Sequence, residues 1–456
     1  MKSILSWALL AVFACCGNGK ETPPPGTAPK PFKLAVTDDF TLPNGLKVTL
    51  APYGVVPKVS VRAYVDAGRL REAAGKTWLA SLTAQFLKEG TKNRSAEQIA
   101  QQAADMGGSL QLTAGDESVI AGGAVLSENG SQFVALLADV LEEASLPQSE
   151  LARLKADLIR QLNVTRSQPK ALARERFFQT MFPDQPYGRL YPSKEALSGY
   201  TLEDVRSFFD TNYAASRTHL YVVGKFESNI KDAIKQAFTR WKSGTAAPLP
   251  PAKPVSQYSL EQIERPGAAQ STIYAGLPVA GPKSPDYITL DVMDSLLGSA
   301  FMSRITSNIR EAKGYSYSPS SILGEAGHQS YWVETADVTT AVTGPSLREI
   351  FGEVNRLRKE APSEQELQGI RNYLSGVFVL KNTISPDAII TQLHWVDSQE
   401  LDRSFLSGYV QKVNAVGPQD IQRVAEAYIN PAKMTVVVVG DKSKISDQLK
   451  AFETAP

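Results

Sequence analysis

A helix that runs into an apolar strand ending at glycine occurs twice in this chain. Leu202-Glu-Asp-Val-Arg-Ser-Phe-Phe-Asp-Thr-Asn-Tyr213 leads to Thr218-His-Leu-Tyr-Val-Val-Gly224, and Pro418-Gln-Asp-Ile-Gln-Arg-Val-Ala-Glu-Ala-Tyr428 leads to Thr435-Val-Val-Val-Val-Gly440. Asp204 and Asp420, Val205 and Ile421, and Gly224 and Gly440 each lie 216 residues apart. Such a repeat, kept over about 20 positions with a one-residue adjustment, restricts the chain to a duplicated unit of helices and strands. Between the copies, Ser243-Gly-Thr-Ala-Ala-Pro-Leu-Pro-Pro-Ala-Lys-Pro-Val-Ser256 is proline-rich and reads as a linker. The expected fold class is therefore α+β, with two homologous α/β sandwich-like domains over 38–242 and 257–450. At 456 residues each copy has room for its own core.

Within the first copy, Leu46-Lys-Val-Thr-Leu50 and Val59-Ser-Val-Arg-Ala-Tyr-Val65 alternate as strands do, with the turn signal Asn44-Gly45 before them. Apolar spacing predicts helices over 77–88, 95–106 (Ser95 as N-cap), 131–144 and 148–167. In the second copy it predicts a strand near 271–276 and helices near 285–297, 301–312, 344–359 and 363–376.

The N-terminus reads as an export signal. Lys2 precedes the apolar run Ile4–Ala14, too short to span a bilayer, and then comes Cys15-Cys16. An apolar stretch ending in a small residue and cysteine resembles a bacterial lipoprotein signal over 1–15, with Cys15 expected as the lipidated residue; the alternative is plain secretion with cleavage nearby. The proline-rich stretch over 16–37 would hold the body away from a membrane as a tether. Cys16 after Cys15 is not the aspartate of inner-membrane retention, so the expected location is the bacterial cell envelope, facing the periplasm, leaning to the outer membrane. The two cysteines are the only ones, which excludes a disulfide framework. Lysine plus arginine (48) nearly cancels aspartate plus glutamate (47), so nucleic acid is not an expected partner.

Several segments carry a resemblance: Phe40-Thr-Leu-Pro-Asn-Gly-Leu-Lys-Val-Thr-Leu50, Val65-Asp-Ala-Gly68, Gly90-Thr91, Gly107-Gly108-Ser109 and Pro186-Tyr-Gly188 in the first copy. The second has Pro266-Gly-Ala-Ala-Gln-Ser271, Leu296-Leu-Gly298, Phe301-Met-Ser-Arg304 and Ile309-Arg-Glu-Ala-Lys-Gly-Tyr-Ser-Tyr317. In this order the chain resembles the insulinase/pitrilysin-type zinc peptidases, in the branch that includes the mitochondrial processing peptidase, from about residue 38 to 450. The resemblance implies that family's duplicated metallopeptidase fold. Its cleaving members carry H-x-x-E-H on the first long helix, two histidines binding Zn²⁺ with a glutamate as general base. A third ligand, a glutamate, follows some 75 residues on. Aligned on Gly90-Thr91, these places hold Ser81, Ala84 and Gln85, and the third falls near Arg160-Gln161-Leu162. No metal ligand is expected in this chain, and zinc is expected only in a partner.

The three histidines, His219, His328 and His394, are isolated in sequence. His219 reads as a packed core residue and His328 as an exposed turn residue. Glu117, in Asp116-Glu-Ser-Val119, reads as a surface charge. There is no nucleophile elbow with partners and no P-loop. One functional element is retained. The resemblance implies that an arginine and a tyrosine seven residues later hold the substrate backbone, and here these are Arg310 and Tyr317. The residues alone permit a plainer reading, in which Arg310 pairs with a surface carboxylate and Tyr317 fills the core. With the resemblance, the expected function is a non-catalytic subunit of a heteromeric zinc metallopeptidase. It would contribute Arg310 and Tyr317, and peptide binding, to a homologous chain carrying H-x-x-E-H. The alternative is a peptide-binding or scaffold protein of the envelope with no peptidase partner.

Overall fold

The computed structural model describes residues 36–455. The expected signal segment, Cys15 and the tether up to residue 35 lie outside the described residues. The first half contributes strands β1 (Asp38–Thr41), β2 (Lys47–Pro52), β3 (Lys58–Val65), β4 (Gln111–Ala114), β5 (Val119–Leu126) and β6 (Thr218–Gly224). Its helices are α1 (Leu79–Phe86), α2 (Ala96–Asp105), α3 (Gly130–Glu142), α4 (Leu151–Ser167), α5 (Pro169–Met181), α6 (Lys194–Gly199), α7 (Leu202–Asn212) and α8 (Ile230–Phe238). The second half contributes β7 (Ser259–Glu264), β8 (Gln270–Val279), β9 (Ser320–Ala326), β10 (Gln329–Thr339) and β11 (Thr435–Gly440). With them go α9 (Tyr287–Asp294), α10 (Thr343–Lys359), α11 (Glu364–Lys381), α12 (Pro386–Ser398), α13 (Ser404–Ala415), α14 (Pro418–Tyr428) and α15 (Lys442–Leu449).

The duplication is visible in the sheets. The first has the order β1-β2-β6-β3-β5-β4 and the second β7-β11-β8-β10-β9. In each, one parallel pair (β2 with β6, β7 with β11) joins an otherwise antiparallel sheet. The repeated aspartates do the same work in both halves. Asp204 accepts the Thr201 backbone N–H at 3.0 Å, and Asp420 accepts that of Gly417 at 2.9 Å, closing the N-terminus of α7 and of α14. Ser95 caps α2, its Oγ accepting from Gln98 while the Gln98 side chain accepts the Ser95 N–H.

β6 and β11 bury both faces, and an apolar β-branched run with no polar face is what such a strand requires. Leu220 and Val222 face the helices of their own half, while Tyr221 and Val223 meet Ile390, Leu393 and Val396 of α12. Reciprocally, Val436 and Val438 face the second half's own helices, and Val437 and Val439 meet Phe177 and Phe178 of α5. Each half thus lends one helix to cover the other's sheet. Pro169 at the start of α5, and Pro386 behind the Ser385 cap at the start of α12, fix where these helices begin.

The sequence-predicted helix over 301–312 is replaced by a wider turn, π-helical over Thr306–Ala312. Ser303 opens it, since its carbonyl accepts the Ser307 N–H at 2.9 Å and its hydroxyl bonds Thr306 at 3.0 Å. Phe301 and Met302 are thereby left outside the helical turn and exposed.

Candidate functional site

The metal-site positions lie on α1 and α4. Glu72 sets where α1 starts: its carboxylate accepts the backbone N–H groups of Trp78 at 3.0 Å and Ala80 at 2.8 Å, with Trp78 in the left-handed region at φ 71°. Burial pushes the Glu72 carboxyl up to about 8, and the two N–H groups pull against that shift. Glu72→Ala leaves those N–H groups without an acceptor. It is expected to cost about 1–3 kcal/mol, read by urea unfolding and by faster amide exchange at Ala80.

Ala84 and Leu162, each 2 % exposed, sit in one apolar cluster with Leu82 and Leu158. The inward residue of the Arg160-Gln161-Leu162 stretch is Leu162. Arg160 points to solvent and pairs with Asp157. Helix phase decides this, because α4 turns Leu154, Leu158 and Leu162 to the core. The donor set at Ser81, Ala84, Gln85 and Leu162 holds no imidazole and no carboxylate, and two of its four members are packed hydrocarbon. These residues do not fit a zinc ion. Among the described residues, no group of three or more His, Cys, Asp or Glu is placed to hold a metal ion.

Arg310 and Tyr317 lie apart from that apolar cluster, on the π-helical turn of the second half and the segment after it. Gly314, at φ +63°, reverses the chain between them, with its N–H donating to the Arg310 carbonyl at 3.0 Å. Tyr315 then turns inward against the core, and Tyr317, 81 % exposed, turns outward. The guanidinium carbon of Arg310 stands 4.5 Å from the Phe301 ring centre and 5.1 Å from that of Tyr317. Its Nε also reaches Glu311 at 3.2 Å. Tyr317 is not core, so of the plainer reading only the surface carboxylate pairing of Arg310 is present. A guanidinium flanked by two rings keeps its N–H edges available. Phe301 and Met302, 59 % and 76 % exposed, add apolar surface beside it.

The structure bears out His328 as an exposed turn residue and corrects the reading of His219. Isolated in sequence, all three line one cavity of about 660 Å³ between the halves. His219 is not simply packed: its Nε2 lies 2.9 Å from Thr49 Oγ1 and its Nδ1 2.9 Å from the Tyr221 hydroxyl. Tyr221 also donates to Asp397 at 2.8 Å, and Arg403 holds both Asp397 and Asp39. This polar chain ties β1, β2 and β6 to α12. Burial pushes His219 down to about 4 and His394 to about 3, so both are neutral near pH 7. The linker forms one wall, strapped down by Arg71 to the carbonyls of Ala247 and Pro248 and by Tyr187 to that of Pro250. No sequence signal pointed to this cavity, because its walls come from many separate segments between Lys47 and Leu401.

The paired sheets, the exchanged helices and the α1 positions without metal donors define a two-domain chain of metallopeptidase architecture. Residues 48–191 match the family described as Insulinase (Peptidase family M16), and residues 199–374 the one described as Peptidase M16 inactive domain. Together these stretches span well over half the chain, which belongs to the M16 family. It is 23% identical over 355 residues to an uncharacterized zinc protease of Rickettsia felis, covering 75% of this chain and 84% of that one. It is 26% identical over 268 residues to a probable mitochondrial-processing peptidase subunit beta of Arabidopsis thaliana, covering 57% and 50% respectively. Among solved structures, a protease from Helicobacter pylori superposes with a TM-score of 0.82 at 20% identity, over 90% of this chain and 100% of that one. A peptidase M16 inactive domain from Pseudomonas fluorescens gives 0.81 at 21% identity, over 89% and 98%.

Proposed function

We propose that this chain is a non-catalytic subunit of a two-chain M16 peptidase. It presents Arg310 and Tyr317 to a peptide held against a homologous chain that carries the metal motif. The observation that carries the reading is the contrast between two sites: hydrocarbon and neutral groups at the metal positions, but a half-buried, ring-flanked Arg310 beside an exposed Tyr317. The guanidinium donates to backbone carbonyls of an unfolded segment, and the Tyr317 hydroxyl donates to the carbonyl under attack or to the charge developing on its oxygen. Phe301 and Met302 offer contact to apolar side chains of that segment. The matches to chains named zinc protease and processing peptidase subunit beta support a peptidase setting.

The test is purification from native membranes. A homologous chain with H-x-x-E-H should accompany this one, and cleavage of an unfolded peptide should need both. Loss of the partner with retained peptide binding would instead support the envelope scaffold alternative. The lipid anchor is part of the proposal: Cys15→Ser should move the protein from the membrane fraction to the soluble fraction, measured by fractionation and by palmitate labelling.

A further inference from the structure

The cavity between the halves has one carboxylate without a side-chain partner among the described residues. Four carboxylates line it: Asp66, Glu117, Asp397 and Glu400. Asp66 is held by Arg71 at 2.5 Å and Arg217 at 3.2 Å, Asp397 by Arg403 at 3.0 Å, and Glu400 by Lys283. Even Asp116, beside Glu117 in sequence, is taken by Arg69 at 2.8 Å. Glu117 makes no side-chain hydrogen bond and no ion pair among the described residues, although it is partly buried at the end of the hairpin between β4 and β5. The neighbouring backbone fixes it there: its carbonyl accepts the Gly68 N–H at 3.1 Å, and a side chain at Gly68 would collide with the Glu117 backbone at 2.4 Å.

The rest of the wall is aromatic. His394 stacks on Tyr64 with ring centres 3.6 Å apart, Tyr221 meets both edge-on, and Tyr187 closes the linker side. The ring nitrogens of His394 have no hydrogen-bond partner among the described residues. A lone carboxylate in a room of about 660 Å³ is too sparse a donor set for a metal ion and large enough for an organic molecule. Carboxylate and π-faces together suit a cation carried on carbon.

We propose that this cavity binds a ligand bearing an organic cation, an ammonium or guanidinium group, which pairs with Glu117 while its carbon body lies against the Tyr64, His394 and Tyr187 rings. The site is independent of Arg310 and Tyr317 and of any partner chain. The cation comes either from a basic side chain of a peptide or from a free amine.

The test is isothermal titration of the full chain with N-acetyl-arginine amide, its uncharged isostere N-acetyl-citrulline amide, and spermidine. The arginine compound or spermidine should bind at least ~10-fold tighter than the citrulline compound, the scale of one charge-assisted pair. Tighter arginine binding assigns the site to peptide side chains, and tighter spermidine binding to free amines. Glu117→Gln, which breaks no hydrogen bond, should fold normally and abolish the discrimination. Burial, with Asp116, Asp66 and Glu325 adding to it and Arg71 opposing, raises the Glu117 carboxyl to about 7. Cation binding should therefore strengthen from pH 6 to pH 8, with Tyr187, Lys47, Arg217 and the three histidines also on these walls beside the paired carboxylates. Binding of both the arginine compound and spermidine to the wild-type chain no tighter than the citrulline compound, or discrimination that survives Glu117→Gln, overturns the proposal.

Discussion

Arg310→Ala should lower the turnover of the assembled pair by at least ~10-fold while leaving both chains folded and associated. The loss corresponds to at least ~1.4 kcal/mol of transition-state stabilisation. Arg310 contributes little to the core, since its guanidinium packs only on the exposed rings of Phe301 and Tyr317 and pairs with Glu311. A fall in activity would therefore report recognition rather than unfolding. The division between constants separates two roles. If Arg310 holds the peptide equally before and during reaction, KM rises and kcat stays. If it stabilises developing charge, kcat and kcat/KM fall together. Arg310→Lys keeps the charge but loses the planar fork, so it should recover only part of the loss. Tyr317→Phe removes a single hydroxyl and keeps the ring beside the guanidinium, and its deficit should appear mainly in kcat.

Phe177→Ala should cost about 3–5 kcal/mol of stability. Phe177 is fully buried where α5, part of the first half by sequence, covers the second half's sheet against Tyr274, Val437 and Val439. Its ring lies 6.0 Å from that of Tyr274 and 5.7 Å from that of Phe178. Truncation opens a cavity between the two halves, where neither core can close it by itself. Urea unfolding followed by the fluorescence of Trp241, in the first half, and Trp332, in the second, should show both signals shifting together. Val164→Ala is the control: Val164 is 64 % exposed on α4 and should change stability by no more than about 0.5 kcal/mol.

The duplication was legible because it rests on local pattern. The Asp204 and Asp420 caps and the strand ends at Gly224 and Gly440 are near neighbours of the elements they terminate. That Ser81, Ala84 and Gln85 share one helix was legible for the same reason. Which residue of the Arg160-Gln161-Leu162 stretch faces inward was not legible, because the stretch was located by counting residues and only the phase of α4 shows that Leu162 faces the core. Helix exchange lay beyond local pattern. The apolar stripes Ala173, Phe177, Met181 and Ile389, Leu393, Val396 mark amphipathic helices, but nothing local says whose sheet each one covers. The cavity was hidden for a related reason. His219, His328 and His394 come from a strand, a hairpin turn and a helix that meet only after both exchanges are made.

The most direct test compares zinc-dependent cleavage of an unfolded peptide by this chain alone, by its co-purifying partner alone, and by the two mixed. This division of labour predicts cleavage only in the mixture, with zinc bound by the partner and activity reduced at least ~10-fold when this chain carries Arg310→Ala. Zinc-dependent cleavage by this chain alone, or a mixture indifferent to Arg310→Ala, would contradict it.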